Sequence, residues 1–471
     1  MRLNAISSLH ISILLPLSLL ACTGEDPEVT DTSVEGDSDT DTDTDTDTDT
    51  DTDTDTGSSI PAAECVDENG ACLLTGTYSS SMRLTADKPW LLRSGVIIGN
   101  DADETILEIE AGTTIYGESA SSALLIISRG SEIWAEGTAA EPIVFTSDQL
   151  DGSRARGDWG GLVINGFAPI NACTDGTTPC EAEGEGNTGT YGGDDWADSS
   201  GTLKYVVIEF AGTEVSPDNE VNALGLQGVG SGTSLDYIQL HQTLDDCIEF
   251  WGGAATAKHI LCTSPGDDGI DFDLGFQGKM QFAIVQQSGG TGNNGMEADN
   301  NPDVHTATPG TTPTVANVTF IGDPAVAESN YAMLMRRGFG PVMSSVAMDG
   351  FSSGCLAIRD QATYDNFAGG AALTQSVIAC DEAYETGDEA TDVGTEESVF
   401  EEGTAGNRAV ADLMLVDAWN VAAPDFRPAT GSPLLSGGQA PNDSFFEAVT
   451  YVGAMDGTTD WTAGWTHSAA N

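Results

Sequence analysis

The apolar residues of this chain fall in short runs that Gly, Pro and polar residues separate. Ile106–Ile109, Leu124–Ile127 and Ile143–Phe145 are three such runs. No long 3.6-residue periodicity, which would indicate amphipathic helices, is present. Short apolar runs bounded by turn-forming residues are typical of β-strands. The pattern therefore predicts an all-β protein.

Two kinds of strand recur along the chain. The first kind spans 203–208, 235–240, 257–261, 280–285, 315–320, 343–348 and 373–378. The second consists of Asp245–Phe250, Asp267–Phe272 and Asn293–Ala298, which begin 22 and 26 residues apart. A period of this size indicates a solenoid in which each repeat forms one coil. With at least two strands in each coil, the expected architecture is a right-handed parallel β-helix.

The second repeat also predicts side-chain directions, because side chains alternate along a strand. Its apolar residues, including Phe250 and Phe272, are expected in the core. Glu249, Asp271 and Glu297 then point outward on successive coils, about 4.8 Å apart. Like charges directly opposite one another destabilise a sheet, so some group should compensate for this column of carboxylates.

Extending the repeat gives two outward columns. The first continues from Glu297 to Met335 and Ala357, and the second contains Trp251, Asp273, Asp299, Arg337 and Arg359. The result is a predicted patch of five carboxylates, with Trp251 at one end and arginines at the other. Lys258 is a further basic candidate near this patch.

Domain boundaries follow from where the repeats begin and end. Residues 58–430 are predicted to form the β-helix, with Cys65–Leu92 covering its first end. Residues 431–471 do not repeat and are expected to cap the other end, since a solenoid needs its open end covered. The stretches 166–200 and 299–313 are expected to be loop insertions, whose position relative to the acidic patch stays open.

The N-terminal residues predict export. Arg2 precedes a mostly apolar run from Ile11 to Leu20, which is the pattern of a signal peptide over residues 1–21. The following Cys22 resembles the lipidated first residue of bacterial lipoproteins, which implies membrane attachment at the outer membrane or cell surface. Residues 22–57 are dominated by an Asp-Thr repeat with nothing apolar to bury, so we expect a disordered, extended tether.

Composition narrows the choice of partners. The 471 residues include 75 Asp and Glu but only 15 Lys and Arg. Nucleic acid is excluded as a partner, because phosphate binding needs clustered Lys and Arg. Cations and neutral or basic ligands remain.

Cysteine usage fits an exported protein. Eight cysteines remain after Cys22, and an even number in an exported chain indicates disulfides. Local pairing predicts the bonds Cys65–Cys72, Cys173–Cys180, Cys247–Cys262 and Cys355–Cys380. No CxxC motif occurs and the five His are scattered, which argues against a zinc site.

Several stretches resemble a family of secreted bacterial right-handed parallel β-helix proteins, many of them lipoproteins. The matching stretches include residues 110–117, 135–138, 156–164, 201–206, 228–233 and 460–466. The resemblance implies a pectin-lyase-like fold at the cell surface and little about activity. Function must therefore be argued from the site.

Three functions are compatible with the patch. Its carboxylates could supply part of a calcium shell, which makes calcium the candidate cofactor. Trp251 could instead be a stacking platform for a glycan, although the sequence favours packing of this residue under a loop. Paired carboxylates could also act in a polysaccharide lyase or glycoside hydrolase.

Structural interpretations stand beside these functions. The acids could be a solvated face of a passive coat or adhesion component, and Asp245-Asp246, Asp267-Asp268 and Asn293-Asn294 could be turn formers that bond their own backbone. The preferred interpretation is a monomeric, lipid-anchored surface protein. It would bind a polysaccharide, a cell-surface protein or cations without turnover.

Overall fold

The computed structural model describes residues 58–216, 219–288, 291–385, 394–402 and 406–468. The predicted signal peptide, Cys22 and the Asp-Thr tether lie outside these residues. The described chain winds as a right-handed parallel β-helix, as the repeats predict. Its strands stack coil upon coil into three parallel sheets.

The first sheet contains strands Met82–Leu84, Ile106–Ile109 and Glu132–Glu136, then the first halves of Gly201–Glu209, Ser234–His241, Thr256–Thr263, Lys279–Gln286 and Thr314–Ile321, then Val342–Ser344 and Ala372–Thr374. The second sheet contains the first halves of Ala71–Tyr78 and Trp90–Ile98, then Thr114–Gly117, Ile143–Ser147, the second halves of the same five long strands, Ala347–Asp349, Val377–Ile378 and Arg408–Ala409.

The third sheet carries the candidate site. It contains the second halves of Ala71–Tyr78 and Trp90–Ile98, then Leu124–Ile127, Gly161–Asn165, Leu224–Gln227, Ile248–Trp251, Ile270–Asp273, Met296–Ala298, Tyr331–Met335 and Gly354–Ile358. The core inside the three sheets is apolar and buried, with Phe250, Phe272 and Phe320 among its largest side chains.

The five long strands bend from the first sheet to the second at a single residue each. The bends lie at Tyr205, Tyr237, His259, Phe282 and Asn317, all with positive φ. Because this conformation recurs in register, the aromatic side chains stack on one another. Ring centroids are 4.4 Å apart for Tyr205 and Tyr237, and 4.2 Å for Tyr237 and His259.

The remaining elements are short and lie outside the coils. Antiparallel pairs join Ala182–Glu183 to Thr190–Tyr191, Glu214–Ser216 to Asn219–Glu220, and Leu415–Asp417 to Asp425–Pro428, while Asp67–Glu68 pairs antiparallel with Ala71–Tyr78. The helices are an α-helix at Gln361–Gly369, 3-10 turns at Ser119–Ser121, Glu185–Asn187 and Pro433–Leu435, and a π-helix at Ser398–Glu402. Within the described residues, no helix has the length and apolar character needed to span a bilayer.

The C-terminal segment lies along the side of the solenoid. The sequence, in contrast, predicts a cap over the end of the solenoid. We call residues 410–468 the strap. Asn317 donates to the carbonyl oxygens of Tyr451 and Gly453, and further back along the solenoid Gln239 Nε2 donates to His467 O at 2.5 Å. The strap thus runs back over earlier coils, and its Trp461 and Trp465 pack edge-on against the stacked aromatic rings.

All four predicted disulfides are present: Cys65–Cys72, Cys173–Cys180, Cys247–Cys262 and Cys355–Cys380. Cys247 and Cys355 both lie at the start of a third-sheet strand and contribute to the core. Each of these two bonds therefore ties the third sheet to a later part of the same coil.

Candidate metal centre

The predicted column of carboxylates exists in the third sheet. Glu249 pairs in register with Asp271, and Asp271 pairs with Glu297. Their apolar neighbours in the strands belong to the core, so these three side chains project outward from the coil, as alternation predicts. We call Glu249, Asp271 and Glu297 the acidic ladder.

The predicted continuation of the column is wrong by one residue at Met335 and correct at Ala357. Glu297 pairs with Leu334, not Met335, and Leu334 then pairs with Ala357. The slip arises because the coil after Glu297 is longer than its predecessors, so the repeat cannot be counted across it. A one-residue slip moves a side chain to the opposite face of a sheet. Met335 is accordingly buried in the core.

The second residue of each Asp-Asp turn accepts a hydrogen bond from the next coil. Asp246 Oδ1 accepts from the amide of Asp268 at 2.7 Å, and an oxygen of Asp268 accepts from the amide of Asn294 in the same way. One coil earlier, Asn222 Oδ1 accepts from the amide of Asp246 at 3.1 Å. We call these four residues the turn ladder. The side chains of Asn222, Asp246 and Asp268 thus replace a backbone acceptor at the turn between coils.

The two ladders meet in a cluster of three carboxylates. Asp246, Glu249 and Asp271 each place one carboxylate oxygen within 4.8 Å of the others. Glu249 Oε2 accepts from Asn222 Nδ2 at 2.6 Å. Asp271 Oδ1 is buried and has no hydrogen-bond partner among the described residues. We call these three residues the carboxylate cluster. Asp245, Asp246 and Asp267 form a second acidic group of the same tightness beside it.

A loop buries the cluster that the sequence predicts to face water. The insertion at 166–200, here the covering loop, folds over the third sheet. Trp251 packs under it against Ile170, Cys180 and Tyr191. Only 7% of Asp246 and 9% of Glu249 is exposed. The packing of Trp251 under a loop, which the sequence favours, is therefore confirmed, and the alternatives of an exposed stacking platform and a solvated acidic face are wrong.

Burial and mutual repulsion raise the pKa values of these acids. Desolvation is the main cause for Asp246, Glu249 and Asp271, and the charges of neighbouring carboxylates add to it. The same causes raise the pKa of Asp273 to about 7, with Asp299 as the nearest repelling charge. The covering loop adds a further acid, because burial and the charge of Asp245 raise the pKa of Glu185 to about 8.

Basic side chains neutralise only one end of the acidic ladder. Arg336 forms ion pairs with both Glu297 and Asp299, and Arg337 pairs with Asp299. Arg336, which directly follows the strand Tyr331–Met335, was missed because the predicted register placed Arg337 in its position. Among the described residues, no Lys or Arg forms an ion pair with the carboxylate cluster.

The other two basic candidates have separate partners. Arg359 directly follows the strand Gly354–Ile358, one coil beyond Arg336, and pairs with Glu385 at 2.8 Å. Lys258 belongs to the first sheet, where it pairs with Glu447 of the strap at 2.9 Å and lies over the ring of Phe445. Lys258 therefore does not belong to the third-sheet patch, whereas Arg359 takes the place in the second column that the repeat predicts.

Sequence reasoning missed several members of the site. Asp246 was assigned to a turn, and Asn222 was not recognised as the start of an earlier repeat. A signal for Asn222 was present, because the strand that follows it, Leu224–Gln227, belongs to the same repeat as Ile248–Trp251 and pairs with it in register. Tyr191 gave no such signal, since it lies in a loop without periodicity. Burial, with the charges of Asp273 and Glu249 in addition, raises its pKa.

A family model that covers most of the chain supports this architecture. A family model described as a pectate-lyase-like β-helix domain matches residues 76–421. Among solved structures, the crystal structure of pectate lyase Pel9A is similar to this chain, with 11% sequence identity and a TM-score of 0.38, and the alignment covers 84% of this chain and 86% of that one. Comparison with curated proteins finds no match.

Proposed function

For a chain that belongs to the family of pectate-lyase-like β-helix domains, we propose that the carboxylate cluster binds a divalent cation, with calcium as the expected ion. The observation that carries the proposal is the clustering of Asp246, Glu249 and Asp271 within 4.8 Å beneath a loop. Three like charges in a desolvated place repel one another strongly unless protons or a cation intervene.

The geometry fits calcium in particular. Calcium takes carboxylate oxygens at about 2.3–2.6 Å, so two oxygens on one ion lie no more than about 5 Å apart. The cluster meets that limit for all three residues. The unpartnered Oδ1 of Asp271 supplies a ligand atom that no protein donor occupies among the described residues. A hard cation would satisfy this oxygen and remove the repulsion in one step.

The remaining candidate functions receive less support. A polysaccharide lyase or glycoside hydrolase must admit a sugar chain between its acids, whereas the covering loop buries Asp246 and Glu249. Trp251 is packed inside the same loop and cannot stack on a glycan without the loop moving. A cation is small enough to enter where a polysaccharide is not. The proposed role is therefore binding without turnover at this site.

The cellular setting belongs to the same proposal. Export, lipidation at Cys22 and attachment to the outer membrane or cell surface are proposed from the sequence of residues 1–57. The four disulfides support an oxidising compartment. The proposed protein is thus a monomeric β-helix on a tether, held closed at its acidic site by a cation.

Titration calorimetry with calcium tests this proposal. The full chain should show a saturable, tight site beside the weak binding expected of the Asp-Thr tract, and Asp271→Asn should weaken only the tight site. Glu136→Gln is the matched control, because Glu136 is an exposed acid of the first sheet. Absence of a tight site in the unaltered chain would contradict the proposal and leave a passive surface component as the better interpretation.

A further inference from the structure

Two segments of the strap, residues 421–424 and 460–468, line a gap against the second sheet, whereas Phe426 and Met455 between them belong to one apolar cluster with Leu261 and Ile284 of that sheet. Gln286 Nε2 donates to Ala418 O at 2.6 Å beside the first segment, and Gln239 is hydrogen-bonded to His467 in the second. Between these contacts lies a cavity of about 380 Å³, with a second of about 180 Å³ beside it. Thr263, Pro424 and Ser468 line both, so the two cavities form one cleft, here the strap cleft.

The solenoid wall of the strap cleft is built from neutral polar side chains. His241, Thr263 and Gln286 follow one another along the second sheet, and Ser264 and Ser288 follow at its turns. These side chains are 2–5% exposed, so each is held in place by its surroundings. His241 Nδ1 and Thr263 Oγ1 are 2.7 Å apart and share a hydrogen bond. The hydroxyl groups of Ser264 and Ser288 are hydrogen-bonded to each other.

The opposite wall is aliphatic and reaches solvent. Val421, Ala422 and Pro424 form it in the larger cavity, and Val421 is 47% exposed. The smaller cavity adds Thr462 and Thr466 from the strap. No Lys or Arg lines either cavity, and Asp460 is the only lining acid among the described residues. A nearly neutral cleft is unusual in a chain with a formal net charge of −60.

We propose that the strap cleft binds a neutral saccharide of about two sugar units. Hydroxyl, amide and imidazole groups can each donate or accept a hydrogen bond, as a polyhydroxylated ligand requires. The aliphatic wall suits the C–H faces of sugar rings. Ligand pockets usually span about 300–1,000 Å³, and the larger cavity falls in that range. The absence of lining basic residues disfavours an anionic sugar.

This site is separate from the carboxylate cluster. The strap cleft opens on the second sheet, whereas the acidic ladder lies on the third, and the two share no residue. Saccharide binding should therefore be independent of calcium. The glycan role that the sequence assigned to Trp251 moves, on this proposal, to a different face of the same solenoid.

Saturation-transfer NMR tests the strap cleft with maltose, cellobiose, lactose and mannobiose, each with the full chain in the presence of a chelator. At least one disaccharide should give a signal. Ala422→Trp, which fills the cleft from the strap side, should abolish it. Val416→Trp is the matched control, since Val416 lies on the same strap, is 51% exposed and lines neither cavity. Asp271→Asn should leave the signal unchanged.

Either of two outcomes would overturn the proposal. One is the absence of a signal from all four sugars, and the other is equal binding by Ala422→Trp and the unaltered chain. If circular dichroism shows that Ala422→Trp does not fold, Thr263→Val decides, because it removes the hydroxyl bonded to His241 while keeping the shape of the side chain. Weaker binding by Thr263→Val supports the strap cleft, and unchanged binding refutes it.

Discussion

Asp273 gives the sharpest quantitative prediction, because its replacement should stabilise the protein without calcium. Its pKa is raised from an ordinary 3.8 to about 7, mainly by burial and then by the charge of Asp299. When folding raises the pKa of a group, the contribution of that group to stability is fully present below its pKa in the unfolded state. That contribution is lost as pH rises through the pKa in the folded state. The loss therefore falls between about pH 4 and pH 7.

The size of the effect follows from that shift. One pKa unit corresponds to about 1.4 kcal/mol, so the shift of Asp273 by about three units corresponds to a destabilisation of about 4 kcal/mol. Because the side chain is partly exposed, solvent screening reduces this destabilisation to about half at the lower limit. Asp273→Asn removes the charge and keeps Oδ1, which accepts from the amide of Leu274 at 2.6 Å. At pH 8 with chelator, the free energy of unfolding should rise by about 2–4 kcal/mol.

Urea unfolding followed by tryptophan fluorescence measures this difference. At pH 4 the variant and the unaltered chain should agree within about 0.6 kcal/mol, since Asp273 is then protonated in the folded state and still about 40% protonated in the unfolded state. Glu136→Gln should show no pH-dependent difference. Equal destabilisation of Asp273→Asn at pH 4 and pH 8 would refute the reasoning, because it would mean that the carboxyl group stabilises the fold by its contacts.

Three further changes test the packing around the site. Trp251→Ala should lower the free energy of unfolding by about 3 kcal/mol and admit proteases to residues 166–200, which urea titration and limited proteolysis would show; unchanged cleavage would contradict the packing. Opening Cys247–Cys262 by Cys262→Ser removes a 15-residue link and should cost about 3 kcal/mol in urea unfolding; a negligible loss would count against its role. Arg336→Met leaves Glu297 without its ion-pair partner and Asp299 with Arg337 alone, and should cost about 3 kcal/mol at pH 8, and less at pH 4, in the same assay; a pH-independent loss would contradict the ion pairs.

The coils and the acidic ladder could be predicted because they are periodic. Alternation and a repeat of 22 to 26 residues were enough to place Glu249, Asp271 and Glu297 one above another. The next step failed where a long insertion follows, since Glu297 pairs with Leu334, 37 residues later. Counting repeats gives no register across a loop of different length.

Burial of the site could not be predicted from the repeat. The covering loop lies before the strands that it covers, and its contacts with Trp251 involve Ile170 and Tyr191, which belong to no periodic pattern. The strap was assigned to the end of the solenoid for the same reason. Its bonds to Gln239, Gln281 and Asn317 run from one irregular segment to side chains on three separate coils. Such contacts depend on the finished fold.

The most direct test of the cation site is a crystal structure of the full chain grown with a lanthanide in place of calcium. An anomalous peak should lie within about 2.3–2.6 Å of oxygens from Asp246, Glu249 and Asp271, beneath the covering loop. The peak should vanish in Asp271→Asn. Anomalous peaks confined to exposed acids, with the three carboxylates unliganded, would contradict the account.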